Sequence, residues 1–244
     1  LFLEYSYIGG NVIRIGDYVT RKSYKNDIVF KVVDIQGENF ILSGASIRLM
    51  ADSPANDLVL YDEKIEKDNF GEEFSAYNAL DRSEYFYLPG KVLHIDGDQD
   101  FLDKCMDFYK KNKIKAYGVY SLEDDLPINI FKYLEKYSPD ILVITGHDAM
   151  YKKRKREGSY KNTDNFIKAV HEARKYEKSH EKLLIIAGAC QSNYEELIKA
   201  GANFASSPRR INIHALDPAI VASALSFSDK NNNIDLLNIL EKTK

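Results

Sequence analysis

The chain has 244 residues, a formal net charge of -3, 44% hydrophobic residues and 29% charged ones. This length accommodates one large domain, or a medium domain with a small companion, and the balanced charge excludes a global attraction to nucleic acid or anionic membranes. No apolar run reaches the ~18 residues that a membrane-crossing helix needs.

The opening stretch, Leu1 to Gly10, is short and lacks a basic flank, so it does not read as a secretory signal. Two cysteines, Cys105 and Cys190, cannot build a disulfide framework, and a reducing, intracellular setting is the expectation. No CxxC or HExxH pattern occurs, so neither a metal nor a cofactor is expected. Residues 12–62 read as short strands: Val12 to Ile15, Asp17 to Arg21, Ile28 to Ile35, Phe40 to Leu42, Ser46 to Met50 and Asp57 to Tyr61. These segments are β-branched or aromatic and are punctuated by Gly16, Asn26, Gly37 and Gly44. Such density predicts a small SH3-like or OB-like β-barrel. Residues 63–89 form a charged linker with Tyr77, Tyr85, Phe86 and Tyr87 as apolar handles, ending at Pro89-Gly90.

From residue 90 onward the rhythm becomes β-α. Strands are expected at Lys91 to Asp96, Ile114 to Tyr120, Ile141 to Thr145, Leu183 to Ala187 and Asn203 to Ser206. Helices are expected at Phe101 to Asn112, Ile128 to Tyr137, Phe166 to Lys175, Tyr194 to Ala200, Leu216 to Ser228 and Ile234 to Thr243. Alternation of this kind predicts an α/β domain over 90–244, an open, mostly parallel sheet with flanking helices. Right-handed crossovers favour the strand order 2-1-3-4-5. In that order the third and fourth strands are neighbours about 4.8 Å apart, and their carboxyl ends share the edge where open α/β sheets place their sites.

Both of these strands run apolar and then break at small residues. One continues as Thr145-Gly-His-Asp148, the other as Gly188-Ala-Cys-Gln-Ser192. His147 and Cys190 are therefore expected to face each other across one crevice, an imidazole able to take the proton of a thiol. The start of the following helix would favour the thiolate, and the Cys190 N–H could bind an oxyanion. This set suffices for acyl transfer through a thioester.

Each of these residues also has a plainer reading. A cysteine in an apolar segment is commonly a small core residue, and Cys105, on a helix face with Phe101 and Phe108, reads that way. His94 lies mid-strand and reads as buried and hydrogen-bonded, while His171 and His180 read as solvated. His214, after the fifth strand, either lines the substrate groove or orients the turn into the next helix. Asp96 and Asp98 end the first strand and Asp148 follows the histidine. They serve as turn and cap residues, as a receptor for a basic substrate side chain, or to orient the imidazole. The basic run Tyr151 to Gly158 is a solvated loop, a nucleic-acid patch or a self-cleavage site.

The longer motifs carry a resemblance. Gly16 to Tyr24, Phe30 to Asp34, Arg48 to Asp52, Tyr85 to Asp98, Thr145 to Asp148 and Gly188 to Ser192 resemble the YabG family of sporulation-specific cysteine proteases in spore-forming Bacillota. The resemblance covers nearly the whole chain from about residue 12. It implies a cysteine endopeptidase acting on spore coat and cortex-associated proteins, with preference for cleavage after Arg, in the mother cell and developing coat. By match to the family's motifs, His147 and Cys190 are the implied catalytic pair. The arrangement also resembles the caspase, gingipain and clostripain clan, in which a Gly after the histidine helps bind the oxyanion; here Asp148 stands in that place. The oxyanion donors are then the N–H groups of Cys190 and Asp148, and Asp96, Asp98 and Asp148 are candidates for the basic-residue pocket.

The rival reading is a non-enzymatic, receiver-like α/β binding module with a barrel adaptor. A receiver needs an acceptor Asp at the end of strand three and a Lys after strand five. The chain has Thr145-Gly-His-Asp148 and Ser206-Ser-Pro-Arg-Arg210 at those places. RNA binding through the barrel and basic loop has no aromatic-and-basic motif behind it.

Overall fold

A computed structural model of the chain describes residues 5–8, 11–62, 89–148, 150–151, 159–206 and 213–228. The expected linker over 63–88, the basic run over 152–158 and the expected helix over 234–243 lie outside these residues. The chain divides into two compact units, Leu1–Asp68 and Asn69–Lys244.

The first unit is antiparallel. Strands β1 (Tyr5–Ile8) and β2 (Asn11–Arg14) pair with each other. A five-stranded sheet follows, formed by β3 (Tyr18–Arg21), β4 (Phe30–Gln36), β5 (Asn39–Gly44), β6 (Met50–Pro54) and β7 (Leu58–Leu60), in the order β6-β5-β4-β3-β7. Val19, Phe30, Val32, Phe40, Leu42 and Leu58 form its core. One expectation is corrected here: the strand placed at Ser46 to Met50 begins only at Met50. The Gly44 N–H donates to Leu49 O at 2.8 Å, so the intervening residues close the turn between β5 and β6.

The second unit is a three-layer α/β assembly. Its strands are β8 (Val92–Asp96), β9 (Ala116–Tyr120), β10 (Ile141–Thr145), β13 (Leu184–Ala187) and β14 (Phe204–Ala205). The short pair β11 (Met150–Tyr151) and β12 (Ser159–Tyr160) lies between β10 and β13 in the chain. The large sheet runs β14-β13-β10-β8-β9, with every neighbouring pair parallel. Strands β10 and β13 are apolar at consecutive positions because both faces are covered. Val92, Val143 and Ile186 pack on one side with α1 (Gln99–Lys111) and α5 (Asp217–Phe227). Leu93, Ile95, Leu142, Ile144 and Ile185 pack on the other with α2 (Leu126–Tyr137), α3 (Thr163–Tyr176) and α4 (Tyr194–Ala200).

Local chemistry sets the helix limits. Asp98 caps α1 by accepting the Phe101 N–H, and Asn193 caps α4 by accepting the Glu196 N–H. Pro218 occupies the first turn of α5, where no backbone donor is needed. Gly201, at φ 112°, ends α4 in the left-handed conformation that glycine tolerates. Phe166 is fully buried in the second core layer. Phe166→Ala should cost about 3–5 kcal/mol, read as a lower urea midpoint with an unchanged slope.

Candidate active site

Strands β10 and β13 end at the same edge. Their register pairs Ile144 with Ala187, and the Gly188 N–H donates to Ile144 O at 3.0 Å just beyond the pair. His147 lies three residues past Ile144, and Cys190 three past Ala187. Pairing in register thus carries the imidazole and the thiol off the sheet at equivalent positions on adjacent strands. The turn that delivers Cys190 needs glycine at 188. There φ is 109°, and a Cβ would lie 2.7 Å from Ser206 Oγ and 2.8 Å from Leu197 Cδ1.

The His147 ring is fixed from several sides. Its Nε2 is 2.8 Å from Asp98 Oδ2, and its ring centroid is 6.0 Å from that of Phe101. Its backbone N–H donates to Glu123 Oε1 at 2.7 Å, and its carbonyl accepts from Asn162 Nδ2 at 2.7 Å. Cys190 is 2% exposed, and its Sγ accepts the Ile213 N–H at 3.2 Å. That contact ties the cysteine turn to the segment carrying His214.

The candidate acids occupy different settings. Asp96 is wholly buried; its Oδ1 accepts the Asp98 N–H at 3.0 Å and its Oδ2 the Thr145 hydroxyl at 2.8 Å. Asp98 lies between α1 and the His147 ring. Burial pushes its carboxyl up, but hydrogen bonds from the His147 ring and the Phe101 N–H outweigh this and leave it below the ordinary value of 3.8. It therefore stays ionised throughout the range in which a histidine titrates.

The Asp148 carboxylate accepts from the Asn162 N–H at 2.8 Å, from the Ser192 hydroxyl at 2.9 Å, and from the Thr163 hydroxyl. It thus joins the histidine turn to the start of α3 and to the cysteine turn. The Ser192 hydroxyl in turn accepts the Ala189 N–H at 2.9 Å. His214 is 8% exposed, with Nδ1 accepting the Leu216 N–H at 3.2 Å and its own N–H donating to Asp217 Oδ2 at 2.9 Å. Those bonds shape the turn into α5.

Cys105 is a core residue, fully buried beside Phe108 and Tyr109. His94 is wholly buried and hydrogen-bonded, while His171 and His180 are exposed. Sequence reasoning missed Glu123, Asn162, Thr163 and Ser192. Glu123 comes from a short 3-10 turn, Glu123–Asp125, and a side chain at Gly97 or Gly146 would collide with its carboxylate. The glycine after each strand end was the available signal for that close approach.

The sequence matches the family described as YabG peptidase U57 over residues 14–79 and 64–244. The chain belongs to that family. It is also 40% identical, over 263 aligned residues, to the sporulation-specific protease YabG of Bacillus subtilis (strain 168), a match covering 94% of this chain and 90% of that protein. Family membership makes the chain a peptidase homologue and turns attention from a receiver-like module to peptide hydrolysis. Among the described residues, no group of His, Cys, Asp and Glu is arranged to hold a metal ion. Among them, too, no helix is long and apolar enough to cross a membrane.

Proposed function

We propose that the chain is a cysteine endopeptidase of sporulation, with Cys190 as nucleophile and His147 as its base. The observation that carries this reading is the register of β10 and β13, which sends His147 and Cys190 off the same sheet edge from adjacent strands. The Asp98 carboxylate on Nε2 leaves Nδ1 of His147 for the thiol. In the reaction, His147 takes the Cys190 proton and sulfur attacks the scissile carbonyl carbon. The N–H groups of Cys190 and Asp148 receive the oxyanion. His147 then passes its proton to the leaving amine as the C–N bond breaks, leaving a thioester. Water, activated by the same ring, splits the thioester and restores the thiol.

The relative's description as a sporulation-specific protease supports a role in sporulation. The substrates are then spore coat and cortex-associated proteins, met in the mother cell and the developing coat. Cleavage after Arg belongs to this reading and calls for a carboxylate that faces the substrate, because a carboxylate pairs well with guanidinium. Under that specificity, the basic run Lys152 to Arg156 is the stretch open to self-cleavage. The antiparallel first unit is the SH3-like barrel in this reading, with a structural role.

A pair of otherwise identical fluorogenic peptides, one ending in Arg and one in Ala before the reporter, tests the specificity. The Arg peptide should be cleaved at least about 100-fold faster in kcat/KM, the scale of a site built around one charged side chain. Equal rates would remove the basic-residue preference while leaving the peptidase reading in place.

A further inference from the structure

We infer that Asp98 is the positioning residue for His147, held in place by a buried line of polar groups running from Tyr109 through His94, Thr145 and Asp96. Its catalytic meaning rests on the proposed Cys190–His147 chemistry; its geometry does not. Asp98 uses its two oxygens for two tasks. Oδ1 accepts the Phe101 N–H at 3.0 Å, which pins the carboxylate to the first turn of α1. Oδ2 is thereby aimed at His147 Nε2, 2.8 Å away. The backbone of Asp98 is anchored in turn, because its N–H donates to Asp96 Oδ1 at 3.0 Å.

Behind Asp96 the line continues into the core. The Thr145 hydroxyl donates to Asp96 Oδ2 at 2.8 Å. Thr145 Oγ1 is also 3.0 Å from His94 Nε2, and His94 Nδ1 is 3.0 Å from Tyr109 Oη. A hydroxyl has one proton to give. Since Thr145 gives its proton to the Asp96 carboxylate, it accepts from Nε2–H of His94, which also lies 3.5 Å from Asp96 Oδ2. Tyr109, His94 and Asp96 are 0% exposed and Thr145 is 1% exposed. A buried network with its bonds satisfied in this way is rigid and specifies one arrangement.

His94, Asp96 and Thr145 occupy alternating strand positions on the face that carries Val92 and Val143, beside α1. These positions would otherwise suit apolar residues. Their polarity follows from the need to seat Asp98 at the strand's end. Among the described residues, the other acids around His147 are Glu123, which accepts its backbone N–H, and Asp148 on its own turn. Asp98 is the one that meets its ring. Asp98 and Asp96 are consequently committed to partners within the protein and leave the set of receptors for a substrate's basic side chain.

Asp98→Asn separates charge from shape, since asparagine caps a helix as well as aspartate. The His147 ring is followed by nitrogen NMR in the Cys190→Ala protein at alkaline pH, where the measurement does not depend on turnover and reads which ring nitrogen holds the proton. With Asp98 present the proton should sit on Nε2, facing the carboxylate. In Asp98→Asn the amide oxygen keeps the Phe101 N–H and the amide nitrogen faces the ring, so the proton should move to Nδ1. In the otherwise wild-type protein the same change should lower kcat on the Arg peptide about 100-fold with KM nearly unchanged. Thr145→Val, which cuts the line two links away, should move both readouts in the same direction by less. A ring proton that stays on Nε2 in Asp98→Asn would overturn the inference, whatever the activity. If instead the proton moves but Cys190→Ala retains activity, the peptidase chemistry fails and the positioning of His147 by Asp98 stands.

Discussion

Cys190→Ala is expected to abolish peptidase activity, a fall of at least about 10⁴-fold in kcat/KM, with the fold retained. The scale follows from removing the nucleophile of a unit whose members act together. The fold should survive because the change deletes one sulfur. The thiol is 2% exposed and accepts the backbone N–H of Ile213. Loss of that bond and its packing costs on the order of 1–2 kcal/mol, and the strands beneath it are held by the register of β13 with β10 and β14. Cys105→Ala is the matched control. Its thiol packs among Phe108, Tyr109 and Ile220 and lies 3.5 Å from Ala215 O, so its loss should lower stability and leave activity intact. Activity retained in the Cys190 variant and lost in the Cys105 variant would reverse the assignment.

The second large effect belongs to Asp148, and it is expected in stability. Asp148→Ala should destabilise the chain by roughly 3 kcal/mol, since each buried donor left without its acceptor costs about 1–3 kcal/mol. The donors to that carboxylate include the Ser192 hydroxyl, the Thr163 hydroxyl and the Asn162 N–H. Their residues are 0%, 2% and 7% exposed respectively. The two turns bearing His147 and Cys190 are joined through this group, so activity should fall with stability. A substrate receptor would behave otherwise. If Asp148→Ala raised KM for the Arg peptide alone, with the urea midpoint unchanged, the residue would be serving the substrate and not the scaffold.

The parallel sheet was legible because its inner strands β10 and β13 are largely buried on both faces and carry unbroken apolar runs such as Ile141 to Ile144. Helix starts were legible to within a few residues where a cap residue stands, as at Asp98 and Asn193. The segment around Ile47 was misread because β-branched and apolar residues there fill a turn closed by the Gly44–Leu49 hydrogen bond, and composition does not reveal such a bond. At the site, the sequence pointed to His147 and Cys190 through the repeated plan of two strand ends. It left the acids undivided, because Asp96, Asp98 and Asp148 look alike as turn residues. Their difference comes from three-dimensional partners: Thr145 for Asp96, the His147 ring for Asp98, and Ser192 with Thr163 for Asp148. Glu123 could not be assigned in advance, because it reaches His147 from a turn 24 residues away in sequence.

The most direct test is to label the nucleophile. The protein is incubated with an Arg-ended peptide bearing a thiol-reactive ketone, and the adduct is located by peptide mapping. The expected result is one adduct, on Cys190, formed in the wild-type chain and greatly slowed in His147→Ala. An adduct on Cys105, or labelling of Cys190 at the same rate without the His147 ring, would contradict the pair on which the account stands.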